Sequence, residues 1–327
     1  MHGRLFTLFD AIPFPSYFTL LLTGFLFATA VGAIWAKRLG HNPDVIVDLG
    51  LAMLMAGVVG GRVLHVIADG YFWDYVNLCV DPSAVGWQIT EAQCKSSSYG
   101  GVWDTAAQVC HPVARQAWWD VLDRCTAWIQ FWRAGFAFYG GFVLASVTAW
   151  FVLKWDRFPF WKAADMAGLT VPLGLGFGRM GCHLAGCCFG KASDVAWHVV
   201  FPPNSPASES QWKGGLLPTP HEPSLAVHPT QLYESAGSLA IAAFLLLYLH
   251  GSKRYDGQVF LAFTGLYAGL RFLLEFMRAD DRGGLWGLST SQLIGLVLVG
   301  IIVILHQRLS ARADARAKGL ARGEEAA

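Results

Sequence analysis

Charged side chains are scarce in this sequence, and that scarcity excludes an ordinary soluble protein. Asp, Glu, Lys and Arg make up 14% of the 327 residues, against about 25% in a typical soluble domain. The acidic and basic residues nearly cancel, at a formal net charge of +1, and no basic stretch is interleaved with aromatic residues. These features exclude nucleic acid as a partner. The sequence also lacks an internal repeat.

Long apolar runs are abundant instead, because 54% of the residues are hydrophobic and the mean hydropathy is +0.41. Most of the runs reach the ~20 residues that a membrane-spanning helix needs. The first is too long for a signal peptide, and its basic residues follow it instead of preceding it. We predict an all-α integral membrane protein with seven transmembrane helices, at residues 15–36, 47–68, 136–153, 163–180, 230–250, 258–277 and 288–306.

The fourth run, 163–180, is the least regular. Pro172 and several glycines interrupt it, and broken apolar segments are tolerated where they line a cavity instead of facing lipid. We therefore expect an interrupted helix beside a cavity.

The orientation follows from clusters of Lys and Arg after the first, third, fifth and seventh runs. With seven spans these clusters share one side, which the positive-inside rule makes cytoplasmic. We predict an outer N-terminus, a cytoplasmic C-terminus and a membrane domain over 1–306. Residues 307–327 form a basic cytoplasmic tail, either a solvated helix or disordered.

Two long loops, 69–134 and 182–229, then lie outside. The first contains four cysteines, which predict two disulfides in one of three pairings. These cysteines are Cys79, Cys94, Cys110 and Cys125.

Three arginines, Arg62, Arg179 and Arg271, lie in or at the edge of apolar runs. A charged side chain at the bilayer centre costs on the order of 3 kcal/mol, so its presence indicates a function. We predict a pocket inside the membrane that receives an anion, most simply a lipid phosphate.

The distinctive motifs cluster at the outer ends of the predicted spans. They are Gly60-Gly61-Arg62, Tyr139-Gly140-Gly141, Gly176 to Gly190, His228 to Glu234, and Tyr267 to Asp280. In the last motif Tyr267, Arg271 and Glu275 are spaced four residues apart and share one helix face. That face is either a structural ion-pair ladder or a surface on which Glu275 fixes Arg271 toward a phosphate.

The sequence HPTQLYE at 228–234, followed by Tyr-x-x-x-Arg-x-x-x-Glu-Phe-x-Arg from Tyr267, resembles the prolipoprotein diacylglyceryl transferase family. The Gly-Arg-x-Gly segment ending in Gly190 resembles the same family, as does Ser16-Tyr17 before Gly24-Phe25. The similarity covers roughly 14–306.

The resemblance implies a multi-pass enzyme of the bacterial inner membrane. Such an enzyme moves the diacylglyceryl group of phosphatidylglycerol onto the lipobox cysteine thiol of a prolipoprotein signal peptide and releases glycerol phosphate. It binds membrane lipid and uses no cofactor and no metal. Arg179 and Arg271 fall at the phospholipid headgroup, and Tyr17, Tyr267 and Gly140 also fall on positions that the family uses.

We predict catalytic roles for four residues and substrate binding by a larger set. The catalytic residues are Arg179, Arg271, Tyr139 and His183. The substrate-binding residues are Arg179, Tyr17, Arg62, Gly140, Gly190, His228, Gln231, Glu234, Tyr267 and Glu275.

The chain departs from the family pattern at three positions. Tyr139 stands in place of a histidine, Cys182 in place of an asparagine and Cys187 in place of a glutamate. The acceptor and the residue that takes the proton therefore stay open. His183 is a better base by intrinsic pKa than Tyr139, whose unperturbed pKa is about 10. A structural interpretation of His228 is a cap on its span, with Glu234 as its partner.

The Cys182, Cys187 and Cys188 cluster has three interpretations. In the first, the cysteines fill a tight turn or form a disulfide. In the second, they bind a metal such as zinc together with His183, at a spacing that is uncommon for zinc sites. In the third, one of them is a reactive thiol beside Arg179.

Besides the transferase, two other functions use these residues. A membrane thiol oxidoreductase would use the cysteine cluster, with a quinone as partner. An anion or lipid transporter would use the arginines without chemistry. HPTQLYE and the arginine face favour the transferase.

Overall fold

The fold is known from a computed structural model that describes residues 4–8, 12–68, 70–87, 91, 94, 101–113, 117–130, 137–279, 284–285 and 287–321. Asp280 and residue 136 lie outside these residues, as does the end of the tail from 322. The chain divides into two compact units. One contains Met1–Val47 and Phe158–Ala327, and the other contains Asp48–Arg157.

Helices dominate the described residues. We label them α1 (Ser16–Arg38), α2 (Pro43–Ala68), α3 (Phe72–Val80), α4 (Trp118–Cys125), α5 (Phe138–Trp155), α6 (Phe160–Ala185), α7 (Pro206–Lys213), α8 (Thr230–Phe244), α9 (Gln258–Glu275) and α10 (Thr290–Ala321). A π-helical turn, Leu245–Leu249, and a last α-helical turn, His250–Ser252, continue α8.

Within the described part of the chain, five helices are long and apolar enough to cross a membrane. These are Ser16–Arg38, Pro43–Ala68, Phe138–Trp155, Thr230–Ser252 and Thr290–Gly319. The other two predicted runs are also helical, as α6 and α9, but their apolar stretches are diluted by polar, charged and glycine residues. The structure therefore confirms a mainly helical membrane protein.

The interruption predicted at Pro172 was wrong, because α6 is one continuous helix from Phe160 to Ala185. Its glycines allow close packing and do not break it. A Cβ added at Gly168 would lie 2.9 Å from the Phe260 Cα atom of α9. One added at Gly176 would lie 2.7 Å from Leu239 of α8. Small residues let helices approach closely in this way.

The core of the first unit lies where α6, α8 and α9 meet. Its fully or nearly buried residues are Leu169, Ile241, Leu245, Val259 and Phe263.

At one end of this core, Asp165 accepts hydrogen bonds from the backbone N–H groups of Gly257, Val259 and Phe260, at 2.9, 2.9 and 3.1 Å. A carboxylate is well placed at the start of a helix because the first N–H groups lack partners within it. Asp165 therefore fixes the start of α9 against α6.

The second unit packs α2 closely against α5. A Cβ at Gly141 would lie 2.8 Å from the Gly57 carbonyl oxygen, and the Gly60 and Gly140 backbones are in direct contact. The prediction of two disulfides is confirmed, with the pairs Cys79–Cys125 and Cys94–Cys110.

Short antiparallel hairpins supplement the helices, which the all-α prediction did not include. They pair Arg4–Leu8 with Ile12–Pro15, Gly101–Asp104 with Val109–Pro112, and Gly284–Leu285 with Leu288–Ser289. The basic tail continues α10 as a helix to Ala321, which agrees with the helical alternative.

Candidate active site

The candidate site is centred on Glu234, a carboxylate of α8 that is fully buried. Its Oε1 atom accepts a hydrogen bond from the Tyr267 hydroxyl at 2.7 Å and lies 3.0 Å from Arg179 Nη2. Its Oε2 atom lies 3.5 Å from Arg271 Nη1 and 3.8 Å from Arg278 Nη1. Three guanidinium groups, from α6, from α9 and from the segment just after α9, therefore converge on one carboxylate.

The face predicted on α9 is confirmed by its contacts. Arg271 Nη2 donates to Glu275 Oε2 at 3.1 Å, one turn along the helix, while Arg271 Nη1 faces Glu234. Arg271 is thus held between two carboxylates, with its planar donor fork fixed in direction. These contacts form the ion-pair ladder, and the orientation of Arg271 toward a phosphate stays a prediction.

The five ionised side chains of this site carry a formal charge of +1, from Arg179, Arg271 and Arg278 against Glu234 and Glu275. The side chains of Arg271 and Arg278 are 12% and 1% exposed, and that of Arg179 is 19% exposed. A positive group with so little access to water attracts an anion more strongly than the same group at a surface, because solvent screens it less. We call this group the arginine cluster.

Gly190 lies in the loop after α6 and connects it to the residue pair before α8 and to the segment after α9. Its N–H donates to the His228 carbonyl at 3.0 Å, and the next N–H, that of Lys191, donates to the Met277 carbonyl at 2.7 Å. A Cβ at Gly190 would lie 2.7 Å from His228 Cβ and 2.8 Å from the Met277 oxygen. Only glycine fits this approach, so the predicted importance of Gly190 has a structural basis in backbone packing.

The beginning of α8 fixes the loop after α6. Gln231 Nε2 donates to the Cys187 carbonyl at 2.7 Å, and Thr230 Oγ1 donates to the Cys188 carbonyl at 2.9 Å. Both side chains are fully buried. The sequence prediction included Gln231 but missed Thr230, although both belong to HPTQLYE.

His228 does not pair with Glu234, so that structural interpretation was wrong. Its Nδ1 atom lies 3.3 Å from the Tyr233 hydroxyl, which also accepts a hydrogen bond from Trp197 Nε1 at 2.6 Å. Glu234 faces Arg179 and Arg271 instead.

His183 lies on the last turn of α6, where its ring packs edge-on against Phe201 with a centroid separation of 5.9 Å. Tyr17 at the start of α1 lies against the same helix end, since a Cβ at Gly181 would be 3.1 Å from Tyr17 Cα. The Tyr17 side chain is 42% exposed.

Three other predicted residues belong to the second unit. Arg62 is nearly buried and donates to the carbonyls of Ala127 and Trp128, at 2.6 and 2.9 Å. Gly140 packs against α2, and the neighbouring Tyr139 is 59% exposed.

Cys182 in the last turn of α6 and Cys187 and Cys188 in the loop after it are all free thiols, and their sulfur atoms lie within 4.8 Å of one another. The disulfide that one interpretation expected is therefore not formed. Sulfur hydrogen bonds from Cys182 and Cys187, together with the positive charges of Arg179 and Arg278, hold the pKa of the Cys188 thiol below its ordinary value.

Comparison with known proteins identifies relatives along nearly the whole chain. A family profile described as "Prolipoprotein diacylglyceryl transferase" matches residues 4–307. A protein of Clostridium tetani is 27% identical over 305 residues, which are 93% of this chain and 96% of the relative. Proteins of Corynebacterium diphtheriae and Vibrio cholerae serotype O1 are 27% and 29% identical over 298 residues. These cover 89% and 88% of this chain, and 87% and 85% of the relatives. All three relatives are named phosphatidylglycerol–prolipoprotein diacylglyceryl transferase.

Within the described residues, five apolar helices of membrane-spanning length define this chain as a helical membrane protein. One of them, which begins with α8, carries the Glu234 carboxylate on which the arginines converge. The chain belongs to the prolipoprotein diacylglyceryl transferase family. This membership does not favour the thiol oxidoreductase alternative.

Proposed function

We propose that this protein transfers the diacylglyceryl group of phosphatidylglycerol to the lipobox cysteine thiol of a prolipoprotein, releasing glycerol phosphate. The names of its relatives give both substrates. The observation that carries the proposal for this chain is the arginine cluster, where Arg179 and Arg271 meet on the fully buried Glu234.

The arginine cluster suits the chemistry of this transfer. The bond that breaks joins a glycerol carbon to a phosphate oxygen, so negative charge increases on the leaving phosphate. Guanidinium groups in a poorly hydrated pocket stabilise that charge without having to reorganise. Arg179 and Arg271 bind the phosphate in this proposal, while Glu234, Glu275 and Tyr267 hold the two guanidinium groups in place.

The remaining predicted residues have supporting roles in this proposal. Gly190, Gln231 and His228 fix the loop after α6, and Tyr17 lines the same helix end. His183, which packs against Phe201, and Tyr139 stay predicted catalytic residues. Arg62 and Gly140 stay predicted substrate-binding residues, and the contacts that they make support their own unit.

The proposed topology has seven spans, of which α6, α8 and α9 carry the site. The N-terminus lies outside and the C-terminus in the cytoplasm of the bacterial inner membrane. The disulfides Cys79–Cys125 and Cys94–Cys110 support this orientation, because such bonds form on the oxidising outer side. Positive residues at the ends of α1 and α5, at Lys253 and Arg254, and in the last turns of α10 support it independently.

Complementation tests the function. A bacterial strain depleted of its own transferase receives this chain, and diacylglyceryl addition to a prolipoprotein is measured by mass shift. We expect lipidation by the intact protein and its loss in Arg179→Ala. Arg179→Lys keeps the charge and distinguishes lost phosphate contacts from lost folding. Arg254→Ala, at an exposed arginine, is the matched control and should lipidate normally. Lack of lipidation by the intact protein would refute the proposal.

A further inference from the structure

The three thiols of Cys182, Cys187 and Cys188 form a group that is shaped like a metal site. Their sulfur atoms lie within 4.8 Å of one another, and Cys182 is buried while the other two are half-buried. Tetrahedral zinc with Zn–S bonds of ~2.3 Å separates its sulfur ligands by about 3.8 Å. The observed sulfur–sulfur distances therefore exceed that separation by about 1 Å at most.

The backbone around these thiols is held in an unusual conformation. Gly186 ends α6 with φ +75°, and Cys188, which carries a side chain, has φ +60°. For a residue with a side chain such a conformation is unfavourable, and it persists where its surroundings impose it. The hydrogen bonds from Gln231 and Thr230 to the carbonyls of Cys187 and Cys188 impose it here. Metal ligands are oriented by outer contacts of this kind.

The group provides three ligands and leaves a fourth position open. Among the residues that the structure describes, these three sulfurs alone make up the group. The nearby imidazole of His183 is packed against Phe201. Three protein ligands with an open position are typical of catalytic zinc, whereas structural zinc is closed by four.

Charge also favours a zinc thiolate at this place. Three thiolates and one Zn²⁺ carry a net charge of −1, while the arginine cluster carries +1. Arg179 lies close enough to Cys182 and Cys188 to interact with them electrostatically. The two neighbouring sites therefore compensate each other's charge.

We propose that Cys182, Cys187 and Cys188 bind one zinc ion, whose open position takes the acceptor cysteine as a thiolate. This inference rests on the proposed function, and among the three interpretations of these cysteines given by the sequence it selects the metal site, with three ligands and without His183. The acceptor thiol loses its proton to water when its sulfur binds zinc. The sulfur electron pair then attacks the diacylglycerol carbon that bears the phosphate. The new C–S bond forms as the C–O bond breaks, and glycerol phosphate leaves with that electron pair beside Arg179.

Zinc supplies what the arginine cluster lacks, which is a means of removing the thiol proton. The oxygens of Glu234 are already engaged, because Arg179 and Tyr267 bind one of them and Arg271 faces the other. A thiol that coordinates zinc is deprotonated outright. The zinc site thus prepares the nucleophile while the neighbouring arginines bind the leaving group.

Metal analysis and cobalt substitution of the full-length protein in detergent test the binding. We expect one zinc per chain. The Co²⁺ form should show a thiolate-to-cobalt absorption band that grows by about one third when a lipobox peptide adds a fourth thiolate to three. The same peptide with serine in place of its cysteine should leave the band unchanged. Binding of one Cu⁺ in place of zinc would overturn the inference of a zinc site with an open position. So would an absorption band that does not change when the cysteine peptide is added.

Activity tests the role of the metal. Cys182→Ser, Cys187→Ser and Cys188→Ser should each lose zinc and lower lipidation by about 100-fold. Met180→Leu removes a neighbouring sulfur from the same helix, where Met180 is 39% exposed, and should keep both. Chelation followed by zinc addition repeats the test without a substitution. Wild-type rates in the zinc-free protein would overturn the inference. A zinc-loaded protein that fails to lipidate would instead refute the proposed function. The cobalt titration distinguishes failure of the zinc site from failure of the proposed function, because it needs no turnover.

Discussion

Replacing Glu234 with glutamine removes the negative charge around which the arginine cluster is organised. The side chain is fully buried, and its oxygens lie 3.0, 3.5 and 3.8 Å from Arg179, Arg271 and Arg278. Glutamine keeps the shape but raises the formal charge of the cluster from +1 to +2. Removing one partner from a buried ion pair costs about 3–5 kcal/mol. We expect Glu234→Gln to destabilise the protein by that amount.

Thermal unfolding in detergent, followed by far-UV circular dichroism, measures this effect. At ~2–4 °C for each kcal/mol, the midpoint should fall by roughly 10 °C. Phosphatidylglycerol should raise the midpoint more in Glu234→Gln than in the wild type, because its phosphate supplies the negative charge that the variant lacks. This second comparison distinguishes an anion site from a purely structural ion-pair network.

Glu222→Gln is the matched control, since Glu222 is an exposed carboxylate of the same unit. Surface substitutions usually change stability by less than about 0.5 kcal/mol. If Glu234→Gln unfolded at the same temperature as Glu222→Gln, with or without phosphatidylglycerol, Glu234 would not organise the cluster.

Three other changes test separate parts of the molecule. Arg271→Lys keeps the charge but loses the planar fork, so transfer in the lipidation assay should slow by about 100-fold; the wild-type rate would contradict this. Gly190→Ala places a methyl group 2.7 Å from a neighbouring Cβ and should cost about 1–3 kcal/mol in thermal unfolding. Gly300→Ala, which meets open space, is its control, and equal midpoints would be the contrary result. Replacing both Cys79 and Cys125 with serine should lower the free energy of unfolding, measured with denaturant, by about 4 kcal/mol. The reason is that the disulfide closes a loop with a sequence separation of 46 and so restricts the unfolded chain. An unchanged unfolding midpoint would contradict this.

Local spacing predicted the parts of the site that belong to one helix. The four-residue interval between Arg271 and Glu275 follows from helical geometry alone, and the pair forms as expected. The apolar runs likewise located the helices, since length and hydropathy decide what can cross a bilayer. The prediction that Pro172 interrupts its helix failed, because close packing of the glycines of α6 against α8 and α9 supports a continuous helix.

Contacts between helices could not be read from the sequence. The meeting of Arg179 with Glu234 depends on how α6 and α8 pack, and the sequence instead suggested His228 as the partner of Glu234. Thr230 gave no separate signal, because its hydrogen bond to the Cys188 carbonyl spans 42 positions in the chain. The grouping of the three cysteines depends on left-handed backbone at Gly186 and Cys188, which the residue order alone does not specify for a cysteine.

The position of a bound phospholipid tests the central claim most directly. A structure determined in phosphatidylglycerol nanodiscs should show a phosphate whose oxygens lie within ~3 Å of guanidinium nitrogens of Arg179 and Arg271. The opposite result would be a headgroup bound elsewhere, with both arginines still closed on Glu234 and no anion between them. That outcome would leave the arginine cluster as an ion-pair network without a role in binding the lipid.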